Sequence, residues 1–186
     1  MPAAQGIPVP HIFLSYSRRD GTYVDSLAVY LERSGFRIWV DRKGITGGEQ
    51  WRREIVTAIQ KSSMVVLFLS PNSARSENVR KELDLAEQAR VRVLPVTIAP
   101  TDIPDTMKYQ LAGVQMVELW RDNERAVDLL VGTLRRHGLQ NGNAPASASG
   151  LRKPVPPAGS ALDLSDLGGA KVLEQFNLRR LLGWKR

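Results

Sequence analysis

The side chains able to do chemistry gather in three short stretches, each following an apolar run. The first is Ser15 to Gly21, the second Asp41 to Glu49, and the third runs from Ser70 to the start of the third helix. Between them they offer carboxylates, guanidinium groups and aromatic rings. A carboxylate can stabilise a developing positive charge, a guanidinium can hold a phosphate, and a ring can hold a base or a cation. What is missing narrows the field further. There is no cysteine, so disulfides, thiol catalysis and cysteine zinc sites are excluded. The two histidines, His11 and His137, are too few for a histidine metal site. The stretch Tyr16-Ser-Arg-Arg-Asp20 has no glycine before Gly21, which rules out the glycine fingerprint of a dinucleotide-binding turn. No P-loop lysine motif is present. A phosphoacceptor domain would place carboxylates after the first strand and an aspartate after the third, where this chain has Ser15-Tyr16 and Ser70-Pro71.

The elements that must position these stretches alternate regularly between strand and helix up to His137. His11 to Tyr16 reads as a buried first strand. Asp20 to Ser34 has Val24, Leu27, Ala28 and Leu31 on one helical face, with Gly35 as its stop. Phe36 to Val40 is the second strand, followed by a loop containing Gly44, Gly47 and Gly48. Gln50 to Lys61 reads as a helix that turns Trp51, Ile55, Ala58 and Ile59 inward. Met64 to Leu69 is the most apolar run and the expected central strand. Ser76 is the N-cap candidate for a helix to Ala89. Val91 to Ile98 and Val114 to Leu119 are the last strands, joined by a long loop with room for a short helix. Asp122 to Arg136 is the closing helix. Such alternation calls for an α/β fold, with a parallel sheet and helices on both faces. The flavodoxin-like order 2-1-3-4-5 is the simplest arrangement. Ligands then bind where the order switches, outside the carboxyl ends of strands one and three. The three chemistry-bearing stretches all come to that edge.

Charge sits mainly outside this unit. Residues 1–138 carry 19 basic and 16 acidic side chains, a net of +3; the remaining 48 carry seven and three, a net of +4, which together make the +7 of the whole chain. Nucleic acid is therefore not an expected partner of the globular part. No apolar run approaches the roughly 20 residues that span a bilayer, and residues 1–10 do not read as a signal peptide. A membrane is not an expected partner either, and the expected compartment is the cytoplasm. Residues 1–10 are read as an extension, 11–137 as the domain, and 138–160, rich in Ala, Pro, Gly, Ser and Asn, as a flexible linker. In the segment 161–186 a short helix can form over 172–182, but its apolar residues surround the helix instead of making one stripe, so a poorly ordered end is expected.

Four boxes in order and spacing carry a family resemblance over residues 11–137. Phe13-Leu-Ser-Tyr-Ser-Arg-Arg-Asp20 resembles the first signature box of Toll/interleukin-1 receptor (TIR) domains. Gly35-Phe-Arg-Ile-Trp-Val-Asp-Arg42, with the stretch to Glu49, resembles their second strand and BB loop. Leu67 to Asn72, followed by Ser76 to Leu83, resembles the strand and helix that carry the catalytic glutamate of enzymatic members. Leu94-Pro-Val96 matches the fourth strand. The pattern is closer to bacterial TIR proteins than to animal receptor adaptors.

TIR domains either self-associate as scaffolds or cleave the nicotinamide–ribose bond of NAD. The resemblance therefore implies NAD as a substrate, with no cofactor or metal, and other TIR domains as partners through self-association. It assigns catalysis to Glu82, whose register with Lys81 and Leu83 matches the family. The competing assignment is a solvated helix glutamate paired with Arg75, Arg80 or Lys81. Tyr16 and Arg18 lie where relatives contact the nucleotide, and Asp41 and Ser70 sit at strand ends facing the same cleft. Trp51 offers an aromatic surface beside the BB loop, or packs in the core. One position departs from the pattern: Asn78 stands where many active relatives carry tryptophan, four residues before the glutamate. The resemblance implies an NAD glycohydrolase or cyclase in bacterial anti-phage immunity. The alternative is a non-enzymatic interaction module, or an effector imitating host adaptors.

Overall fold

Two apolar strands form the middle of the sheet. β1 (Ile12–Ser15) and β3 (Met64–Leu69) are buried at every residue, as strands covered on both faces must be. A computed structural model of the chain describes residues 11–41, 48–140 and 152–155. With β2 (Ile38–Val40), β4 (Val93–Thr97) and β5 (Val117–Glu118) they make a five-stranded sheet in the order β2-β1-β3-β4-β5, parallel at every pairing. Among the described residues, five α-helices connect and cover it: α1 (Gly21–Arg33), α2 (Glu49–Lys61), α3 (Glu77–Gln88), α4 (Asp105–Gln110) and α5 (Asn123–Arg136). This is the expected fold and strand order.

The period-two alternation of the strands decides which helix each side chain meets. Ile12 and Leu14 join Val66 and Phe68 in a core cluster with α1 and α5. Phe13 points the other way and packs with Val65, Ile55, Ile59 and Ala86, from α2 and α3. Its ring stacks on Trp39 at 4.8 Å between centroids. Leu67 and Leu69 meet Val79, Leu83 and Met107 from α3 and α4 on that same second face. Ser15 shares the parity of Phe13, so it faces α3.

Several elements are shorter than their sequence patterns suggest, each for a local reason. Phe36 does not extend β2, because it bridges antiparallel to Gln140 beyond α5. Residues 114–116 are left out of β5 because Gly113, at φ 77°, and the bond from Val114 N to Leu111 O hold them in the turn after α4. Pro95 is tolerated in β4 because its nitrogen faces β5, whose pairing begins only at Val96↔Val117. The first helix is preceded by a 3-10 turn over Arg18–Asp20 and starts at Gly21.

Of the expected linker, residues 138–140 and 152–155 are described, and both are tied to the domain. Gln140 Nε2 donates to Ser34 O at 3.3 Å, and Lys153 Nζ donates to Asp128 Oδ2 at 2.7 Å. The N-terminal extension, the loop 42–47, the rest of the linker and the segment 161–186 lie outside the described residues.

α3 closes with two reverse bonds, Val91 N to Ala86 O and Arg90 N to Glu87 O, which place Arg90 at φ 55°. Glycine is the usual occupant of this left-handed position because it has no Cβ to crowd the following carbonyl. Replacing Arg90 with glycine is expected to raise stability by about 0.5–1 kcal/mol, the ~1–2 kcal/mol cost of a left-handed side-chain-bearing residue less the ~0.4–1 kcal/mol by which glycine loosens the unfolded chain, read as a shift of the urea midpoint at constant slope. An unchanged or lower midpoint would mean that the Arg90 side chain contributes more than its backbone costs.

Candidate active site

Glu82 is held from below by the first strand. Ser76 caps α3 by accepting from Val79 N, which sets the helix register. Val79, Leu83 and Ala86 then face the sheet, and Glu82 beside Leu83 reaches the end of β1. There the Ser15 hydroxyl donates to Glu82 Oε2 at 2.6 Å. Ser15 is 0% exposed, and a buried hydroxyl without a partner costs about 1–3 kcal/mol, so its pairing with Glu82 is structurally required as well as close.

This contact sets Glu82 apart from the competing assignment, a solvated helix glutamate paired with a neighbouring cation. Lys81 pairs instead with Glu77, at 3.5 Å, and Glu82 is half-buried. Burial pushes the Glu82 carboxyl up from the ordinary 4.5 to about 7. The Ser15 hydrogen bond pulls it down, the Asp41 carboxylate pushes it up, and the Arg18 charge pulls it down. Near neutral pH this group exists in both protonation states, the range in which an acid, base or charge stabiliser is most useful.

Three of the other expected site residues form one cluster at the mouth of β2. Asp41 Oδ2 accepts from Arg18 Nη2 at 2.9 Å, and Asp41 Oδ1 accepts from Trp51 Nε1 at 3.0 Å. The Arg18 guanidinium also lies 5.9 Å from the centre of the Trp51 ring. Asp41 is thus the organiser of the cluster, with both oxygens engaged. Trp51 is half-buried against the α2–α3 core, and its Nε1 ties it to Asp41 at the end of β2. Arg18, with half of its side chain exposed, is the cation at the mouth.

The remaining three are Tyr16, Ser70 and Asn78. Tyr16 has the parity of Leu14 and packs against the cluster under α1 and α5. The Ser70 hydroxyl accepts from Asn72 N at 3.1 Å and Ser73 N at 3.0 Å, and donates to Asp20 Oδ2 at 2.5 Å. It stabilises the turn before α3. Asn78 is exposed one turn before Glu82 on the same side of α3.

Residue patterns alone did not single out Ser15, Asp20 or Asn72. Asp20 accepts from both Ser70 and Asn72, the latter at 2.7 Å, and so ties the turn after β1 to the turn after β3. These two turns carry Arg18 and lead to Glu82. Asp20→Ala is expected to lower stability by about 2 kcal/mol, since bonds to a charged acceptor contribute about 1.5–3 kcal/mol; urea unfolding measures it. A loss below about 0.5 kcal/mol, the range of ordinary surface changes, would show that the two turns hold without this tie.

Among the described residues, no three His, Asp or Glu side chains converge to hold a metal ion, and no helix is long and apolar enough to cross a membrane. A cavity of about 610 Å³ between β2 and α2, bordered by His11, Trp39 and Lys61, does not reach Glu82. What the Glu82 site can do chemically is place one carboxylate of elevated proton affinity at a strand end, within the influence of the Asp41 and Arg18 charges.

Residues 12–131, more than half of the chain, match the model of the family described as the TIR domain. The chain is 32% identical over 93 residues to the NAD(+) hydrolase PdTIR of Paracoccus denitrificans, a match covering 47% of this chain and 31% of that protein. It is 35% identical over 77 residues to Toll-like receptor 6 of Homo sapiens, covering 41% of this chain and 10% of the receptor. The chain thus spans less than a third of the length of either relative. Among solved structures, the TIR domain of the Toll-related receptor TRR-2 from Hydra magnipapillata superposes with a TM-score of 0.56 at 20% identity, over 68% of this chain and 97% of that one, a likeness of fold.

Proposed function

The chain belongs to the TIR domain family, and from that footing we propose that it cleaves the nicotinamide–ribose bond of NAD, with Glu82 as the catalytic carboxylate. The observation that carries this reading is the half-buried Glu82 carboxyl held by Ser15 at the end of β1, pushed up to about 7 and felt by the Arg18 charge. The similarity to a bacterial NAD(+) hydrolase supports it.

The reaction asks little more of the protein. As the bond between C1′ and the nicotinamide nitrogen breaks, its electron pair leaves with the nitrogen and neutralises the pyridinium. The ribose is left with oxocarbenium character, and an ionised carboxylate beneath it lowers the energy of that charge. Water then adds at C1′ and gives up a proton, or a hydroxyl of the same nucleotide adds and closes a ring. Arg18 serves the pyrophosphate and the Trp51 ring offers a surface to a base. Self-association through the BB loop would complete the cleft, so activity rises with protein concentration. The biological setting that fits such NAD consumption is bacterial defence against phage, in the cytoplasm.

The exposed Asn78, in place of an aromatic residue, favours a second reading, in which the domain only recruits other TIR domains. Incubating concentrated protein with NAD and following nicotinamide chromatographically separates the two. The glycohydrolase reading expects nicotinamide and, in equal amount, ADP-ribose or its cyclic form, which lacks the added water. NAD left intact at every protein concentration, crowded or not, leaves the recruiting module.

A further inference from the structure

The Ser15–Glu82 contact joins residues 67 positions apart, through a side chain with no exposure at all. Ser15 is the last residue of β1 and is held in register with Leu67 of β3. The position of its hydroxyl is therefore set by a fully buried strand in register with the central one. Glu82, in contrast, hangs on three rotatable bonds from an α3 position that does not face the core. Oε2 is bound by Ser15, and among the described residues no hydrogen bond to Oε1 is present.

We infer that Ser15 is a positioning residue for Glu82, its hydroxyl fixing Oε2 against the sheet so that Oε1 is the oxygen presented to a ligand in the cleft. The inference rests on the proposed catalytic role of Glu82 and adds how that carboxylate is aimed. A carboxylate free to rotate would spend most of its time off the line to C1′, and misplacement of a reacting group is costly in rate. The hydroxyl also donates to the ionised form, so it favours ionisation and opposes the effect of burial. The other charges bearing on the carboxyl are Asp41, which raises its proton affinity, and Arg18, which lowers it. β1 and β3 carry no ionisable side chain. Helix α2 packs towards α3 through apolar residues such as Ile55 and Ile59, and the turn before α3 brings only the exposed Arg75.

The test compares Ser15→Ala, Ser15→Cys and Ser15→Thr. Alanine removes the donor, cysteine fills the same space with a weak donor, and threonine keeps the hydroxyl. Two readouts are needed: the titration of the Glu82 carboxyl carbon by NMR, which requires no activity, and the pH profile of nicotinamide release. Alanine and cysteine are expected to raise the carboxyl pKa by about one unit and to cut release at pH 6 by about tenfold. At pH 9 a smaller loss remains, from misorientation alone. Threonine restores both readouts toward wild type. Should alanine fail to fold, the near-isosteric cysteine gives the same reading. A carboxyl titration and pH profile that superimpose on wild type would overturn the inference. Wild-type protein that releases no nicotinamide would defeat the glycohydrolase reading instead, while the carboxyl titration still decides what Ser15 does.

Discussion

Glu82→Gln is expected to lower nicotinamide release by about 10²–10³-fold while making the folded protein more stable at pH 8. On the proposed reading, the activity loss follows from removing the negative charge that Glu82 would place beneath the breaking bond; single preorganised electrostatic groups contribute on this scale. Glutamine keeps the size of the side chain and can still accept from Ser15, so the loss isolates charge from shape. The stability gain follows from the same charge. The Glu82 carboxyl is pushed up to about 7 in the folded chain from an ordinary 4.5, so the folded state binds its proton more tightly than the unfolded state does. The stability this provides is fully present below about 4.5 and is lost as pH rises through about 7. At pH 8 the ionised, half-buried carboxylate therefore weakens the fold, by up to ~3 kcal/mol. Glutamine removes most of that cost, less whatever its amide N–H groups leave unsatisfied. Thermal melts at pH 8 and pH 4.5 measure the effect: the variant melts higher at pH 8, and the gap closes at pH 4.5. Lower activity with lower stability at pH 8 would mean that Glu82 is a structural member of the fold.

The second large effect is expected from Asn78→Trp, which raises NAD cleavage by about 5- to 150-fold. Position 78 lies one helical turn before Glu82, on the same side of α3, and is exposed. Side chains four apart on a helix are neighbours, so an indole there borders the space in front of the carboxylate. Stacking of a base on such a ring is worth ~1–3 kcal/mol, and this converts to the stated range if it is felt mainly in the transition state. Because the site is exposed, fold stability should change by no more than about 0.5 kcal/mol. Initial rates over a range of NAD concentrations assign the gain to kcat or to KM. No gain, with the fold intact, would place the nicotinamide away from the first turn of α3.

The fold was legible because its signals are local and repeat. Six consecutive apolar residues from Met64 to Leu69 mark a strand buried on both faces, and the helices between strands carry single apolar faces. Element ends were less legible where distant chain competes for the backbone. Phe36 is taken by Gln140, which lies 104 residues further on (140 − 36). The site was legible in part. Nothing in the local pattern around Glu82 separates it from the exposed glutamates of the same helix; its family register singled it out. A signal for Ser15 does exist, since a serine two residues beyond Phe13 in a buried strand must find a polar partner on the same face. Which partner it finds depends on how α3 crosses β1, and that is a property of the packed molecule. The ties from Asp20 to Ser70 and Asn72 span 50 and 52 residues, and depend on the same packing. Asp41 and Trp51 are only ten apart, yet their contact requires the chain between them to fold back, which spacing alone does not dictate.

The most direct measurement is the pH dependence of kcat/KM for nicotinamide release, because it reports ionisations in the free enzyme. An ionised Glu82 with its carboxyl at about 7 predicts activity that rises through neutral pH and levels off above about pH 8, with the rise absent in Glu82→Gln. A rate independent of pH between about 5 and 8, or a glutamine variant that keeps both the rate and its pH dependence, would contradict it.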